Sequence, residues 1–507
     1  MLNNVILDGS PLTIEQVVSV ARLNTHVELS DSSRDAIHAS RAHLETIESD
    51  GQPHYGVNTG FGSLARHRVE DDKLKQLQIN LIRSHAAGVG EPLPVDTVRA
   101  MMLILAASLA RGLSGVRVEL VEIILSLLNA NITPVVPSLG SVGASGDLAP
   151  LAHLALALIG EGEVFDHGEK KPTRDVLVAN SIEPAQLHSK EGLALINGTH
   201  LMAAQASLAL SDTECLLRAA FVAGAMSIDG CKASDSFLNA QVATARRHAG
   251  ITNAAAMLRG FLDGSEILPS HKENDPRVQD PYSLRCQAPV LGAALGAIEY
   301  VQSALNEELG AVTDNPLVIA HGNAPELVSA GNFHGMPIAL PLDHLAVAIS
   351  HIAGMSERRV FYMLSGHDPE SGLSPYLATR PGLTSGLMIV QYTAAACCNE
   401  IIGLCTPATP ANVSTSAGIE DYNSFGPRAA AKARRANELA RHVVAIELLC
   451  ASEAIEHHRP LKTGGKLERA HEIIRGRVGR LEDDRPPSPD IQAIEKLIGD
   501  DGFADLF

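Results

Sequence analysis

The feature that most constrains this chain of 507 residues is a long apolar stripe at helical spacing. Its positions recur at intervals of three and four residues, and they are Leu291, Leu295, Ile298, Val301, Leu305 and Leu309. The stripe covers about five helical turns, and it stops before Asp314-Asn315-Pro316, a sequence that ends helices. Since a helix of this length usually packs against others, the chain is predicted to contain a long-helix bundle.

Further apolar periodicity points to the same class of fold. Residues 98–113 and 118–128 show helical spacing, as do Leu345, Ile349, Ile352 and Met355. Alternation with a period of two is confined to short pieces near the amino terminus and around residues 162–173. Aromatic residues make up only 3% of the chain, so aliphatic side chains must fill the core. The sequence therefore predicts a mainly α protein.

Loop composition suggests how the chain is divided. We expect a loop-rich amino-terminal part over residues 1–200, a central long-helix bundle over 201–482, and a linker with a terminal helix over 483–507. Glycine-rich loops of low charge occupy residues 55–62, 140–147, 331–335 and 416–426. Loops of this composition allow the backbone to approach a ligand closely.

The charge and the cysteine pattern bear on partners and location. A formal charge of -18 argues against nucleic acid and against an anionic membrane surface as partners. Polar residues interrupt the apolar stretches well before the ~20 residues that cross a bilayer, and the first residues lack a signal-peptide pattern, so we expect a cytoplasmic protein. The seven cysteines are predicted to be reduced and mostly buried. The 21 histidines form no metal-binding motif, so neither a metal nor a soluble cofactor is expected.

One loop carries a pattern with chemical potential. In residues 140–150, the tripeptide Ala144-Ser145-Gly146 precedes Asp147 and an apolar helical run. By local pattern alone this is typical of a helix start, with Asp147 as the N-cap. The loop has neither the spacing of a lipase-type nucleophile elbow nor the Lys-Ser/Thr of a P-loop. The tripeptide can cyclise: the Gly146 amide nitrogen attacks the Ala144 carbonyl, and loss of two water molecules, which include the serine hydroxyl, leaves an exocyclic alkene.

This segment resembles the prosthetic-group loop of the histidine, phenylalanine and tyrosine ammonia-lyases and their aminomutase relatives. The resemblance extends from about Gly9 to Asp483 through several motifs in the same order. It implies a fold of the ammonia-lyase and fumarase-like superfamily. It also implies a methylidene-imidazolone group made from Ala144-Ser145-Gly146, an electrophile that assists the departure of ammonia from an amino-acid substrate. A homotetramer whose active sites combine several subunits is implied as well.

The same resemblance implies roles for single residues. Tyr55, in the loop Tyr55-Gly56-Val57-Asn58-Thr59-Gly60-Phe61-Gly62, is the candidate base at the β-carbon. Asn197 and Phe333 are expected beside the electrophile. Arg285 fits the substrate carboxylate, because a guanidinium fork pairs with a carboxylate through two parallel hydrogen bonds. Gln279 and Tyr282 would support the electrophile and the loop. Taken singly, each of these residues is equally typical of an ordinary turn, surface or core position.

Two positions bear on the substrate ring. Ser84-His85 resembles the histidine-specific form of the family, although some tyrosine aminomutases share it. Glu420 stands where enzymes of carbocyclic amino acids usually have glutamine, and a carboxylate can pair with an imidazole nitrogen but not with a phenyl ring. We therefore expect elimination of ammonia from histidine to give urocanate. Ile419 and Tyr422 depart from the histidine pattern, which leaves open another aromatic or modified histidine-like substrate. A 2,3-aminomutase and a non-catalytic helical scaffold are separate alternatives.

Overall fold

The computed structural model describes residues 4–273, 275–321 and 324–507, and it confirms the mainly α prediction. The helices are α1 (Ile14–Leu23), α2 (Asp31–Glu48), α3 (Leu74–His85), α4 (Val95–Ala110), α5 (Val118–Asn129), α6 (Leu148–Leu158), α7 (Thr173–Ala179), α8 (Glu191–Ile196), α9 (His200–Gly230), α10 (Ala240–Ala245), α11 (Ala249–Leu262), α12 (Ile267–Ser270), α13 (Tyr282–Arg285), α14 (Gln287–Leu309), α15 (Met336–Ser365), α16 (Met388–Leu404), α17 (Gly426–Glu456), α18 (Gly465–Arg475) and α19 (Ser488–Gly499). The apolar stripe from Leu291 to Leu309 lies in α14, as its spacing predicts.

Strands are short and form small separate sheets. They are β1 (Asn4–Leu7), β2 (His26–Leu29), β3 (Val89–Pro92), β4 (Thr133–Pro134), β5 (Pro137–Leu139), β6 (Glu163–Asp166), β7 (Glu169–Pro172), β8 (Leu317–His321) and β9 (Ala324–Val328). The pair β1–β2 is parallel, whereas β3–β5, β4–β6–β7 and β8–β9 are antiparallel. Strands β1, β2, β6 and β7 lie where the sequence alternates with a period of two.

The chain forms two compact units that interleave along the sequence. The first unit contains the residues up to Ser211, Gln302–Asp343 and Pro407–Ala431. The second contains Asp212–Val301, His344–Thr406 and Lys432–Phe507. The expected division at residues 200 and 482 stays a prediction.

The first unit is built around α4. Every residue of α4 from Thr97 to Ala110 is buried, and most of these residues are apolar, which fits a helix in the core of the unit. Helices α1 and α5 pack against it. Helix α1 starts with a capping box, in which the Thr13 hydroxyl accepts from the Gln16 amide and the Gln16 side chain accepts from the Thr13 amide.

The second unit encloses a buried ion pair. Its core includes the fully buried Val443, Ile446 and Leu448 of α17. Beside them, Arg359 donates from Nη2 to Glu447 Oε2 over 2.7 Å, and only 1% and 0% of the two side chains are exposed. A buried charge must be paired to be tolerated, and this ion pair meets that requirement.

The structure bears on two further expectations from the sequence. Within the described residues, α14 and α15, of 23 and 30 residues, are long and apolar enough by length and composition to cross a membrane. Charged residues such as Glu299 and Asp343 interrupt the apolar sequence of both helices, and the core helices of a protein share this length and composition. All seven cysteines are free, but only Cys231 and Cys450 are buried, so the prediction of mostly buried thiols was wrong.

Candidate active site

All four glycine-rich loops of the sequence meet at one cavity in the first unit. The cavity has a volume of about 780 Å³, and its lining includes Tyr55, Ser145, Phe333 and Glu420, one from each loop. Helices α3 and α8 complete the wall. The four loops therefore bring their backbone to one cavity.

Hydrogen bonds from two of the other loops hold the backbone that leads into the tripeptide. Gly143 O accepts from Ser424 Oγ over 2.9 Å and from the Gly335 amide over 3.3 Å. Val142 O accepts from the Phe425 amide over 2.9 Å. These hydrogen bonds hold the two residues that precede Ala144-Ser145-Gly146, and they involve no side chain of the tripeptide.

Gly146 lies where no other residue fits. Its φ is +69°, a left-handed conformation that favours glycine, and it pairs with Gly198 in a parallel bridge. A Cβ at this position would lie 2.2 Å from Gly198 O. The missing side chain therefore allows the tripeptide to pack directly against the backbone that follows Asn197.

Asp147 begins α6, but its side chain does not cap that helix. Instead Oδ2 accepts from the amides of Leu201 and Met202, the first turn of α9, over 2.9 and 3.1 Å. Oδ1 accepts from Ser141 Oγ over 3.0 Å. The N-cap prediction was thus right in position and wrong in the helix that is capped. Burial raises the pKa of Asp147 to about 7, while the hydrogen bonds from Met202, Ser141 and Leu201 lower it.

Asn197 ends α8 and is almost fully buried. Its Nδ2 donates to Asn315 O over 2.9 Å. Its Oδ1 is buried without a hydrogen-bond partner in the described part of the chain. A buried amide oxygen without a partner is costly, so this atom is available to a group bound in the cavity.

Glu420 is presented by a tight turn. Thr415 and Glu420 pair through backbone hydrogen bonds, and Thr415 Oγ1 donates to Glu420 Oε2 over 3.1 Å. The other carboxylate oxygen, Oε1, accepts from Ser145 Oγ over 2.9 Å. The carboxylate that the sequence singles out for ring recognition therefore contacts the tripeptide itself.

His85 reaches the cavity because one face of α3 lines it. Leu77, Asn80, Leu81, Ser84 and His85 follow the spacing of such a face. His85 Nδ1 lies 2.9 Å from Leu81 O. Because a carbonyl oxygen only accepts, Nδ1 carries the hydrogen, and in the neutral ring Nε2 keeps a lone pair.

Tyr55 and Phe333 line the same cavity from opposite parts of the sequence. The Tyr55 hydroxyl accepts from the Gly62 amide over 3.4 Å. Gly56 has a φ of +73°, and a Cβ there would lie 2.3 Å from the Leu193 side chain of α8. The tyrosine loop therefore packs tightly on the helix that carries Asn197.

The remaining predicted residues lie in the second unit, where they contact one another. Arg285 donates from Nη2 to Gln279 Oε1 over 2.7 Å and from Nε to Asp280 O over 3.0 Å. Its guanidinium lies 4.7 Å from the centre of the Tyr282 ring. The cavity lining comes entirely from the first unit, so the structure groups the predicted site residues into two clusters.

Sequence reasoning missed several residues of the site. Asn315 was considered only as part of a helix stop, yet it lines the cavity and accepts from Asn197. Asn80 could have been found by following the α3 face backward from His85. Thr415 gave no signal, because its contact with Glu420 depends on the folded turn.

Comparison with known proteins places this architecture in a family. The family model described as aromatic amino acid lyase matches residues 12–476. The chain is 46% identical over 513 residues to the histidine ammonia-lyase of Anaeromyxobacter dehalogenans (strain 2CP-C), with 100% of each chain covered. A crystal structure of histidine ammonia-lyase from Trypanosoma cruzi matches with a TM-score of 0.91 and 37% identity, covering 99% of this chain and 94% of that one.

A second kind of activity occurs among the similar structures. The tyrosine aminomutase of Streptomyces globisporus matches with a TM-score of 0.93 and 33% identity, covering 99% of this chain and 98% of that one. The match of the family model to most of the chain and the full-length similarity agree with the geometry of the tripeptide loop. The chain belongs to the aromatic amino acid lyase family.

Proposed function

We propose that the protein eliminates ammonia from L-histidine and releases urocanate, as a carbon–nitrogen lyase. The observation that carries this proposal is the position of Glu420, whose Oε1 lies 2.9 Å from Ser145 Oγ in a cavity also lined by His85. The full-length similarity to histidine ammonia-lyases supports the same substrate.

Glu420 favours an imidazole ring for a physical reason. A carboxylate accepts a hydrogen bond from a ring N–H and pairs with an imidazolium, whereas a phenyl ring offers it nothing and leaves its charge poorly solvated. Loss of the Ser145 hydroxyl during cyclisation would remove the present donor to Oε1. That oxygen would then be available to the substrate.

The tripeptide fits the prosthetic group of the family, which uses a methylidene-imidazolone. Ala144 is buried, Gly146 has no room for a side chain, and Asn197 Oδ1 is a buried atom without a partner in the described residues. Ala144, Ser145 and Gly146 would form the group, which supplies an electrophilic alkene. Asn197 would hold it in place.

The chain's own groups then divide the work. Tyr55 lines the cavity and is proposed to take the proton from the β-carbon. Phe333 contributes an apolar wall. Leu77, Leu81 and Leu193 add further apolar surface, which excludes water from the substrate.

The carboxylate of the substrate needs a cation that the cavity lacks. Among the described residues that line it, none is Lys or Arg. Arg285 is suited to the task, because two of its nitrogens are held by Gln279 and Asp280 and Nη1 has no hydrogen-bond partner among the described residues. We propose that Arg285, with Gln279 and Tyr282, completes the site of a neighbouring subunit in a homotetramer.

Incubation with single amino acids tests the proposal. Purified protein with L-histidine should release ammonia, and ultraviolet absorbance should grow as the product's double bond conjugates with the ring. Ser145→Ala is the control and should release none. Turnover of tyrosine or phenylalanine without histidine would contradict the substrate, retained β-amino acid would identify an aminomutase, and no turnover of any of them would favour a non-catalytic scaffold.

A further inference from the structure

A fully buried ion pair lies beneath the cavity, outside the residues assigned to the reaction so far. Lys190 Nζ lies 2.6 Å from Asp314 Oδ2, and only 0% and 2% of the two side chains are exposed. A pair at this depth costs free energy of desolvation and often stabilises a fold no better than apolar residues would. Its presence next to the active site calls for an explanation other than stability.

Lys190 and Asp314 are each connected to a residue that lines the cavity. Lys190 immediately precedes α8, and its carbonyl oxygen accepts from the Ala194 amide over 2.9 Å. The same short helix ends at Asn197, whose amide donates to Leu193 O over 3.0 Å. The six residues of α8 therefore connect Lys190 to Asn197, so that the position of Lys190 affects the position of Asn197.

Asp314 is connected to Asn197 through Asn315. Its Oδ1 accepts from the Asn315 backbone amide over 2.6 Å, and Asn315 O in turn accepts from Asn197 Nδ2 over 2.9 Å. Asn315 Oδ1 also accepts from the Ala330 amide over 2.6 Å. The contacts close a ring that runs from Lys190 along α8 to Asn197, across to Asn315, and back through Asp314.

The backbone and the side chains around Lys190 restrict the movement of this ring of contacts. Lys190 adopts a left-handed backbone conformation with a φ of 70°, which is unusual for a residue other than glycine. Its neighbour Glu191 is buried and accepts a fork from Arg117 through Nε and Nη2, each over 2.9 Å. Burial lowers the pKa of Lys190, and the charge of Asp314 opposes that change.

We propose that Lys190 and Asp314 are positioning residues, a pair that fixes the Asn197 side chain against the Asn315 carbonyl and so aims Asn197 Oδ1 at the tripeptide. The proposal rests on the ammonia-lyase function above. It explains why a costly charged pair lies here: a short, charge-assisted contact defines a distance more sharply than apolar packing does. Misplacing a group at an active site by about 1 Å can reduce the rate on the order of a hundredfold.

A coupling experiment separates positioning from general stability. We would replace the pair by Lys190→Met with Asp314→Leu, since exchanging both partners leaves no unpaired buried charge. The kcat and KM for L-histidine are measured with and without this double substitution, first in the protein that keeps Asn197 and then in the Asn197→Ala variant. If the pair acts through Asn197, kcat falls at least about tenfold in the first background, KM changes less, and kcat is unchanged in the second.

A second double variant guards against failure to fold. In Lys190→Met with Asp314→Asn, Oδ1 can still accept from the Asn315 amide and no buried charge is left unpaired, so a smaller fall in kcat is expected, again only when Asn197 is present. Arg359→Met with Glu447→Leu removes a comparably buried pair in the second unit and serves as the matched control. Its effect on kcat should be the same in both backgrounds.

A structural measurement adds a readout that does not depend on activity. A crystal structure of the Lys190→Met, Asp314→Leu variant should show Asn197 Nδ2 displaced from Asn315 O, compared with 2.9 Å here. An unchanged distance, or equal losses of kcat in both Asn197 backgrounds, would overturn the proposal. An unsubstituted protein that releases no ammonia from histidine would instead overturn the proposed function.

Discussion

Ser145 Oγ donates a hydrogen bond to Glu420 Oε1 over 2.9 Å, although 275 residues separate the two in the sequence. The contact joins the residue that would become the electrophile to the carboxylate that would recognise the ring. Because Thr415 already satisfies Oε2, Oε1 is the atom that changes partner when the serine hydroxyl leaves.

Replacing Glu420 by glutamine should separate its charge from its shape. Glutamine keeps the length of the side chain but cannot pair with an imidazolium, so we expect kcat/KM for L-histidine to fall on the order of a hundredfold. Steady-state assays of urocanate absorbance measure the change. Glu15→Gln, at an exposed site of α1, is the control. Activity of Glu420→Gln equal to that of the control would argue against ring recognition by this carboxylate.

Gly146→Ala should prevent the tripeptide from maturing. The added Cβ would meet Gly198 O at 2.2 Å, and alanine does not readily adopt a φ of +69°. Intact-protein mass spectrometry should show two water molecules missing from the unsubstituted protein and none missing from the variant. Gly296→Ala, where a Cβ meets nothing within 4 Å, should mature normally. Loss of both water molecules in Gly146→Ala would contradict the expectation.

Complementation tests whether the site is shared between subunits. Tyr55→Phe should lower kcat by about 10²–10⁴-fold, the usual contribution of general base catalysis, and Arg285→Ala should leave the substrate carboxylate unpaired. Co-expression of the two variants forms mixed oligomers, in which some sites combine the unsubstituted Tyr55 and Arg285 from different chains. Ammonia release should then exceed the sum of the two single variants. Activity no greater than that sum would indicate that both residues act within one chain.

Asp147 should make the stability of the protein depend on pH. In the unfolded chain the carboxyl loses its proton near its usual pKa of 3.8, whereas in the folded chain it does so only near 7. Between these values the folded state binds more protons, so this group's contribution to the free energy of unfolding decreases as the pH rises from about 4 to 7. Nearby Glu308 adds to the effect, since its charge raises the pKa of Asp147 further.

The measurement is the difference in melting temperature between the unsubstituted protein and Asp147→Asn. It isolates this group from opposing ones such as His200, whose pKa burial lowers to about 3. As the pH is raised from 4.5 to 7, within the window set by the two pKa values, the melting temperature of the unsubstituted protein should fall relative to that of Asp147→Asn. A difference that is independent of pH would show that Asp147 is ionised throughout.

Local periodicity was sufficient to predict α4, α5, α14 and part of α15, because apolar spacing reports directly which face is buried. The stripe ending at Leu309 predicted α14, and the alternation around residues 162–173 predicted β6 and β7. The capping role of Asp147 could not be predicted, because the amides that it binds belong to α9, more than fifty residues away. A local sequence pattern cannot indicate a partner that lies so far away along the chain.

The candidate site shows the same limit. Resemblance indicated Tyr55, Ser145, Asn197 and Glu420, and the structure places all four in one cavity wall. Lys190 and Asp314 carry no local signal, since a lysine before a short helix and an aspartate after a long one are typical of solvent-exposed positions. Only the fold shows that both are buried and paired.

Helix α8 has six residues, with Lys190 before it and Asn197 after it. One residue inserted between them would rotate Asn197 by about 100° around the helix axis, because an α-helix has 3.6 residues per turn. A lost residue would rotate it by the same angle in the other direction. The active site therefore constrains the length of the segment between Lys190 and Asn197 as well as its buried side chains, and the helical phase of α8 sets where Asn197 lies.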